Sequence, residues 1–144
     1  MDPALLQSLA VLAAGFALSI AVQHVLRGVW SSEEELSRVP EPVLRAVGAG
    51  VLSAAATGFV LGSLENLVFF GAARAAATYL GLNMGTALAV AAALWCMLHD
   101  NAPRLLAVAP LAAAFWYVWQ TPYWYLAPLA HGLYDALALA ALAA

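Results

Sequence analysis

Residues 43–80 read VLRAVGAGVLSAAATGFVLGSLENLVFFGAARAAATYL, an almost continuous apolar run in which Glu65 is the only acidic residue. As one straight helix this run would be about 55 Å long, well beyond the roughly 30 Å of a bilayer core. We therefore expect a membrane-spanning helix with a break near Gly62 or Gly71. Small residues recur every four positions, at Gly50, Ala54, Gly58 and Gly62. That spacing predicts a helix face on which a second helix packs closely.

The whole chain has the composition of a membrane protein. Hydrophobic residues make up 65% of its 144 residues and charged residues 9%, whereas a soluble domain is about half apolar and a quarter charged. Apolar stretches long enough for further helices cover about residues 4–25, 84–99, 105–119 and 123–144. We expect an all-α, polytopic transmembrane helix bundle of about four to five spans, located in the cell membrane with the lipid bilayer as its main partner.

We expect residues 1–144 to form a single membrane domain with three parts. Residues 1–26 form the first span, which we interpret as retained because no basic region precedes it, as one would in a signal peptide. Residues 27–45 form a cytoplasmic amphipathic connector, since they carry three of the five arginines and such loops stay in the cytoplasm. Its short surface helix is expected to end at Pro40 and Pro42. Residues 46–144 form the remaining helical core.

Charge and cysteine content exclude some classes of protein. The net charge of −3 and the lack of a basic patch argue against nucleic-acid binding. The single cysteine, Cys96, excludes an internal disulfide, and its apolar surroundings in the sequence favour an inert buried thiol.

Four ionisable residues lie within apolar helices or at their ends: Glu65, His99, His131 and Asp135. Such a side chain is costly in lipid, so each is a candidate for function. His131 and Asp135 are four residues apart and therefore share one helix face. Glu65 could act as a general acid or base, or it could form a structural pair with Arg74, the nearest cation in the sequence.

The stretches that carry these residues resemble three motifs of the CPBP family of intramembrane proteases, the CAAX prenyl endopeptidase and bacteriocin-processing group, also called Abi. The stretch Glu65–Gly71, ENLVFFG, is similar to the family's EExxxR motif. Trp95 and His99 match its aromatic-xxxH motif, and His131 and Asp135 match its HxxxN or HxxxD motif. The motifs occur in the family's order, within about residues 60–140.

The resemblance implies a CPBP intramembrane protease-like fold and a glutamate-dependent endopeptidase. Glu65, with His99, would activate water for attack on a peptide bond at or in the membrane. His131 and Asp135 would stabilise the oxyanion. The substrate would be a peptide or membrane protein, for which a prenylated tail is one option. No cofactor and no metal are expected.

Two positions depart from the family's first motif. Asn66 stands where the family has a second glutamate, and Phe70 stands where it has an arginine. Because both charges are absent, no buried charge is left unpaired, so the change fits a stable fold. It also favours an alternative, a catalytically inactive relative that acts as a membrane scaffold or bacteriocin-immunity protein. A proton-coupled carrier is a second alternative, and a zinc site of His99, His131 and a carboxylate is a third.

Overall fold

The fold consists of helices joined by short connections. The computed structural model describes residues 2–26, 39–98 and 102–144, and these contain no β-strand. In chain order its elements are α1 (Pro3–Leu26), α2 (Glu41–Gly48), α3 (Val51–Asn66), a π-helical turn (Leu67–Gly71), α4 (Ala72–Leu80), α5 (Met84–Met97), α6 (Ala102–Val118) and α7 (Leu126–Ala143). The all-α prediction is confirmed.

Three helical segments of the described residues are long and apolar enough to cross a membrane: α1, the continuous segment Val51–Leu80, and α7. Helices α5 and α6 are also apolar but have 14 and 17 residues, fewer than the roughly 20 needed for a full span. Large apolar side chains cover the outside, and Leu52 and Leu137 are 87% and 72% exposed. This is the surface that lipid would cover, as the composition predicts.

The helix is interrupted at Gly50, whereas the sequence predicts an interruption near Gly62 or Gly71. Gly50 has a φ of +111°, which side-chain-bearing residues rarely adopt, so α2 and α3 meet there at a turn. Gly62 lies inside α3, and Gly71 closes the π-helical turn without ending the helix. The segment Val51–Leu80 is therefore one continuous helix of 30 residues, about 45 Å long.

Helix α2 begins at the prolines that the sequence interpretation assigned to the end of a helix. Pro40 precedes its first residue and Pro42 is its second, where a missing N–H removes no helical hydrogen bond. The surface helix expected before them would lie in the connector, whose residues 27–38 are outside the described residues. Arg45 forms an exposed ion pair of 2.9 Å with Glu41.

Two helix pairs organise the bundle, α1 with α6 and α3 with α7. The face of α3 that meets α7 carries buried residues at every fourth position: Ala54, Gly58, Gly62 and Asn66. A Cβ atom on Gly62 would lie 2.6 Å from Asp135 Oδ2 and 2.9 Å from the carbonyl oxygen of His131. The predicted close-packing face is confirmed for Ala54, Gly58 and Gly62, while Gly50 serves the turn instead.

Helix α5 returns along α4 after a turn at Gly81, which has a φ of +66°. Asn83 caps its first turn by accepting a hydrogen bond of 2.9 Å from the backbone N–H of Thr86, as helix N-caps commonly do. Trp95 lies two residues before the end of α5 and contacts Glu65, the fifteenth residue of Val51–Leu80. Helix α5 therefore ends about halfway along the long helix.

Aromatic rings from different segments fill the centre of the bundle. Phe70 of the π-helical turn lies edge-on to Trp95 of α5 and to Phe115 of α6. It also stacks on Trp119, which follows α6, at an interplanar angle of 11°. Each such aromatic pair contributes about 0.5–1.5 kcal/mol beyond simple burial. The rings thus hold the segments around the candidate site together.

Candidate functional site

Two of the four predicted site residues contact Trp95, and a third contacts one of these two. Glu65 accepts a hydrogen bond from the indole Nε1 of Trp95. The ring of His131 lies edge-on to the Trp95 indole, with 5.4 Å between ring centroids. Asp135 lies one turn after His131 on the same helix. The fourth, His99, is outside the described residues.

Glu65 reaches Trp95 because of its place on α3. The neighbouring Asn66 belongs to the face that packs on α7, and Glu65, one residue earlier, is directed sideways to α5. The π-helical turn begins at Leu67, two residues after Glu65. Such turns are rare and occur frequently at functional sites. Glu65 thus lies next to a type of helical irregularity that is common at functional sites.

Arg74 binds other groups and does not form the structural pair with Glu65 that the sequence analysis considered. Its Nη1 donates hydrogen bonds to the carbonyl oxygens of Trp119 at 2.6 Å and Thr121 at 3.4 Å. Its guanidinium also lies 5.6 Å from the centroid of the Trp124 ring, a cation–π arrangement. Nine residues of helix place Arg74 about 13 Å beyond Glu65, which explains why the two do not meet.

His131 and Asp135 form the other half of the cluster. His131 Nε2 lies 3.6 Å from Asp135 Oδ2, and the two side chains are 6% and 29% exposed. The imidazole also contacts the ring of Phe115 at 5.3 Å between centroids. Asp135 Oδ2 lies against Gly62, which is three residues before Glu65 on α3. An imidazole and two carboxyl groups therefore share one site between α3 and α7.

The close approach of α3 and α7 brings these groups together. Gly62 carries no side chain that would separate Asp135 from α3. One residue on, Ser63 Oγ donates a hydrogen bond of 3.1 Å to the carbonyl oxygen of Pro128. On the α7 side, a Cβ on Gly132 would overlap Ser63. The small-residue face recognised in the sequence is thus what allows His131 and Asp135 to lie beside Glu65.

The two residues that depart from the family motif occupy one buried position against Trp119. Asn66 Oδ1 accepts a hydrogen bond of 2.7 Å from Trp119 Nε1, and the Phe70 ring stacks on the same indole. Both side chains are completely buried. Asn66 Nδ2 has no hydrogen-bond partner among the described residues. In this chain an indole fills the space beside the positions where the resemblance expects a charged pair.

No metal centre is visible in the part of the chain that the structure describes. It contains no group of three histidine, cysteine, aspartate or glutamate side chains placed to hold a metal ion. The zinc site considered from the sequence includes His99, which is outside that part.

A groove of about 660 Å³ runs between α4 and α5. Its walls are mainly apolar, with Asn83 and Thr86 at one end. At the other end are Val68, three residues after Glu65, and Ala91, four residues before Trp95. Glu65 and Trp95 do not line the groove themselves, but each lies about one helical turn from a residue that does.

Sequence reasoning missed two features of this site, the hydrogen bond from Trp95 and the groove. The sequence motif requires only an aromatic residue at the position of Trp95 and assigns no role to its N–H. A buried tryptophan usually finds an acceptor for its N–H, so its presence in an apolar helix was a usable signal for a polar partner. The groove depends on how α4 and α5 splay, which no residue pattern specifies.

Comparisons of this chain with protein-family models, with curated proteins and with solved structures give no match. The family resemblance therefore rests on the three short motifs of the sequence.

Proposed function

We propose that the chain is a multi-pass intramembrane endopeptidase of the CPBP type, in which Glu65 activates water for attack on a peptide bond. One observation carries the proposal: Glu65 and His131, from helices far apart in sequence, contact a single indole, and Asp135 lies beside His131. A carboxylate and an imidazole held together in mostly apolar surroundings are suited to general acid–base chemistry. This arrangement is the one that the three motifs lead us to expect.

In the proposed reaction, Glu65 takes a proton from water as the water oxygen attacks the carbonyl carbon of the substrate. The carbonyl oxygen becomes an oxyanion, to which His131 donates a hydrogen bond as an imidazolium ion paired with Asp135. Collapse of the tetrahedral intermediate breaks the C–N bond, and Glu65 returns the proton to the departing amine. Stabilising the developing oxyanion is often the largest single contribution to such catalysis. His99, which the resemblance pairs with Glu65, keeps that role as an expectation.

Asp135 is assigned an orienting role. An ionised carboxylate would repel an oxyanion, whereas a carboxylate beside an imidazole fixes the ring's orientation and stabilises its protonated form. The 3.6 Å separation of His131 Nε2 and Asp135 Oδ2 supports this assignment. Asp135 thus acts on the substrate through His131.

The groove supports an apolar substrate. Its walls are apolar and include Val68 and Ala91, each about one helical turn from Glu65 or Trp95, so an extended apolar segment bound there would have a peptide bond near the carboxylate. A peptide or membrane protein fits this description, and the resemblance adds a prenylated tail as one form of the apolar part.

The test is the substitution Glu65→Gln in purified protein reconstituted into liposomes. Two fluorogenic substrates would be used, a prenylated peptide and an unmodified transmembrane peptide. We expect cleavage to fall at least a hundredfold, while the fold persists because glutamine keeps an oxygen that accepts from Trp95. Glu41→Gln, at an exposed glutamate of α2, is the matched control and should cleave normally. Undiminished turnover by the Glu65 variant would exclude this glutamate as the base.

His131→Ala examines the oxyanion role separately. We expect kcat to fall at least tenfold, since the donor acts in the transition state. A change confined to KM would contradict the assignment. Chelators should leave turnover intact, whereas a loss that added zinc restores would favour the zinc alternative.

A second candidate function is that of a catalytically inactive relative. The contacts of Asn66 and Phe70 with Trp119 favour this second function, because neutral, well-packed side chains stand where the family has a charged pair. Such a protein would retain the bundle and serve as a scaffold or immunity protein. Neither the natural chain nor its Glu65→Gln variant would then cleave either substrate.

A further inference from the structure

Trp95 is the most firmly held polar group at the candidate site. Its side chain is 2% exposed and contacts rings from three other segments. These are Phe70 at 6.3 Å, Phe115 at 5.6 Å and His131 at 5.4 Å between ring centroids. An indole packed on several sides has one orientation, so its N–H points in one direction. That direction is toward Glu65 Oε1.

Glu65, in contrast, has a long and flexible side chain that is only partly buried. A glutamate with no fixed partner samples several rotamers, and immobilising such a side chain costs about 1–2 kcal/mol of rotational freedom. A single donor in a fixed position removes much of that freedom. One carboxylate oxygen is then held by the indole, and the other is left to face water or substrate.

We propose that Trp95 is a positioning residue that sets the orientation of the Glu65 carboxylate relative to His131 through its indole N–H. This inference rests on the proposed function and goes beyond it, because the family motif asks only for an aromatic ring at this position. The ring packs edge-on to His131 while its nitrogen holds Glu65, so one side chain fixes both groups. Misplacement by about 1 Å can lower an enzymatic rate roughly a hundredfold.

Trp119 provides a matched control within the same chain. It is also 2% exposed, and its Nε1 also donates to a side-chain oxygen of α3, that of Asn66. The two indoles therefore have equal burial, and each donates a hydrogen bond to a side-chain oxygen of α3, but only the Trp95 bond ends at the candidate base. Any effect of losing a buried indole hydrogen bond in general should appear at both positions.

The first test replaces Trp95 with β-(3-benzothienyl)alanine, an isostere in which sulfur replaces the indole N–H. The shape and the ring contacts remain, and only the donor is lost. We expect kcat to fall at least tenfold with KM unchanged, because the base is misaligned while substrate binding persists. The same replacement at Trp119 should change kcat less than twofold. Equal kcat values for the Trp95 isostere and the natural chain would overturn the proposal.

A second measurement does not depend on cleavage. Unfolding in detergent is followed for the Trp95 isostere, for Glu65→Met and for the combination, and the cycle is repeated with Trp119 in place of Trp95. We expect at least a tenfold coupling in the unfolding equilibrium constant for Trp95 with Glu65, since bonds to charged groups are strong. Coupling of Trp119 with Glu65 should be under twofold.

The two readouts separate the two proposals. If the natural chain cleaves nothing but the unfolding cycle shows the coupling, the positioning contact stands and the protease function is wrong. If Glu65→Gln abolishes cleavage but the Trp95 isostere affects neither kcat nor the cycle, the protease function stands and the positioning role is wrong.

Discussion

Asn66 and Trp119 are joined by a hydrogen bond of 2.7 Å, donated by the indole Nε1 to the amide oxygen. Asn66 belongs to α3 and Trp119 follows α6, so this bond connects two helices inside the bundle. It is made where water has no access, since Asn66 is fully buried. An unmade hydrogen bond at such a place costs about 1–3 kcal/mol. The pair therefore helps hold α3 against the residues that follow α6.

Asn66→Ala should lower the free energy of unfolding by about 1–3 kcal/mol, because it leaves the Trp119 N–H buried without an acceptor. Trp119→Phe removes the donor and should also destabilise the protein. The double variant should lose less than the sum of the two by about 1 kcal/mol, the expected coupling of residues in contact. The measurement is an SDS titration of the protein in mixed micelles. If the double variant loses as much unfolding free energy as the two single variants together, the hydrogen bond does not contribute to stability.

Restoring the family's charged pair tests whether the natural chain is active. Each of Asn66→Glu and Phe70→Arg alone should destabilise the bundle by about 3–5 kcal/mol, because each buries an unpaired charge beside Trp119. The two positions are four residues apart on one helix face, so the double variant should recover part of that loss. Cleavage of either fluorogenic peptide only by the double variant would identify the natural chain as the inactive relative. Cleavage by the natural chain supports the protease.

Gly62→Ala should disturb the helix contact that brings Asp135 to α3. The added Cβ would lie 2.6 Å from Asp135 Oδ2, and overpacking of this kind costs about 1–3 kcal/mol. Gly48→Ala is the matched control, since a Cβ there meets nothing within 4 Å and glycine lowers helix stability. The measurements are the unfolding free energy and the cleavage rate. Equal stability of both variants would contradict the close packing of α3 on α7.

The contact of Asp2 with Tyr123 predicts a pH dependence outside the membrane-spanning helices. Asp2 Oδ2 accepts a hydrogen bond from the Tyr123 hydroxyl, and Asp2 Oδ1 accepts one of 2.8 Å from the backbone N–H of Ala4. The bond from Tyr123, followed by that from Ala4, lowers the pKa of Asp2 below its ordinary value of 3.8. The same contact raises the pKa of Tyr123 above 10.0.

The two shifts define a window in which this contact stabilises the fold. A lowered aspartate pKa gives stability that is present above about pH 4 and is lost as the pH falls through the folded-state value. A raised tyrosine pKa gives stability that is present below about pH 10 and is lost as the pH rises through the folded-state value. Tyr123→Phe should therefore lower Tm slightly at pH 7 and have a smaller effect at pH 2.

The control for that comparison is Tyr79→Phe, at a tyrosine that is 87% exposed. It should leave Tm unchanged at both pH values. A Tm difference for Tyr123→Phe that is as large at pH 2 as at pH 7 would show that the ring's packing, rather than its bond to Asp2, is responsible.

Hydropathy and glycine spacing were enough to predict the helical class, the positions of most helices and the close-packing face of α3. These depend on composition and on the helical period, which the sequence states directly. The break at Gly50 was not predicted, because Gly50 fits the four-residue pattern and its positive φ is a property of the backbone. The π-helical turn at Leu67–Gly71 likewise has no sequence signature.

The sequence was sufficient to select the residues of the candidate site but not most of the contacts between them. Ionisable groups in apolar helices are conspicuous, so Glu65, His131 and Asp135 could be selected from the sequence. That Arg74 binds the carbonyl oxygens after α6, and that Trp95 holds Glu65, depends on which helices become neighbours. Such long-range pairings arise from packing, and a single sequence does not reveal them.

The unequal lengths of two neighbouring helices have a consequence for the membrane around them. Val51–Leu80 has 30 residues and Met84–Met97 has 14, so they are about 45 Å and 21 Å long. No bilayer of uniform thickness matches both, and lipids must thin beside the shorter helix or the longer one must tilt. Lipids with shorter acyl chains should ease that mismatch next to the groove, so bilayer thickness should influence how α4 and α5 pack there.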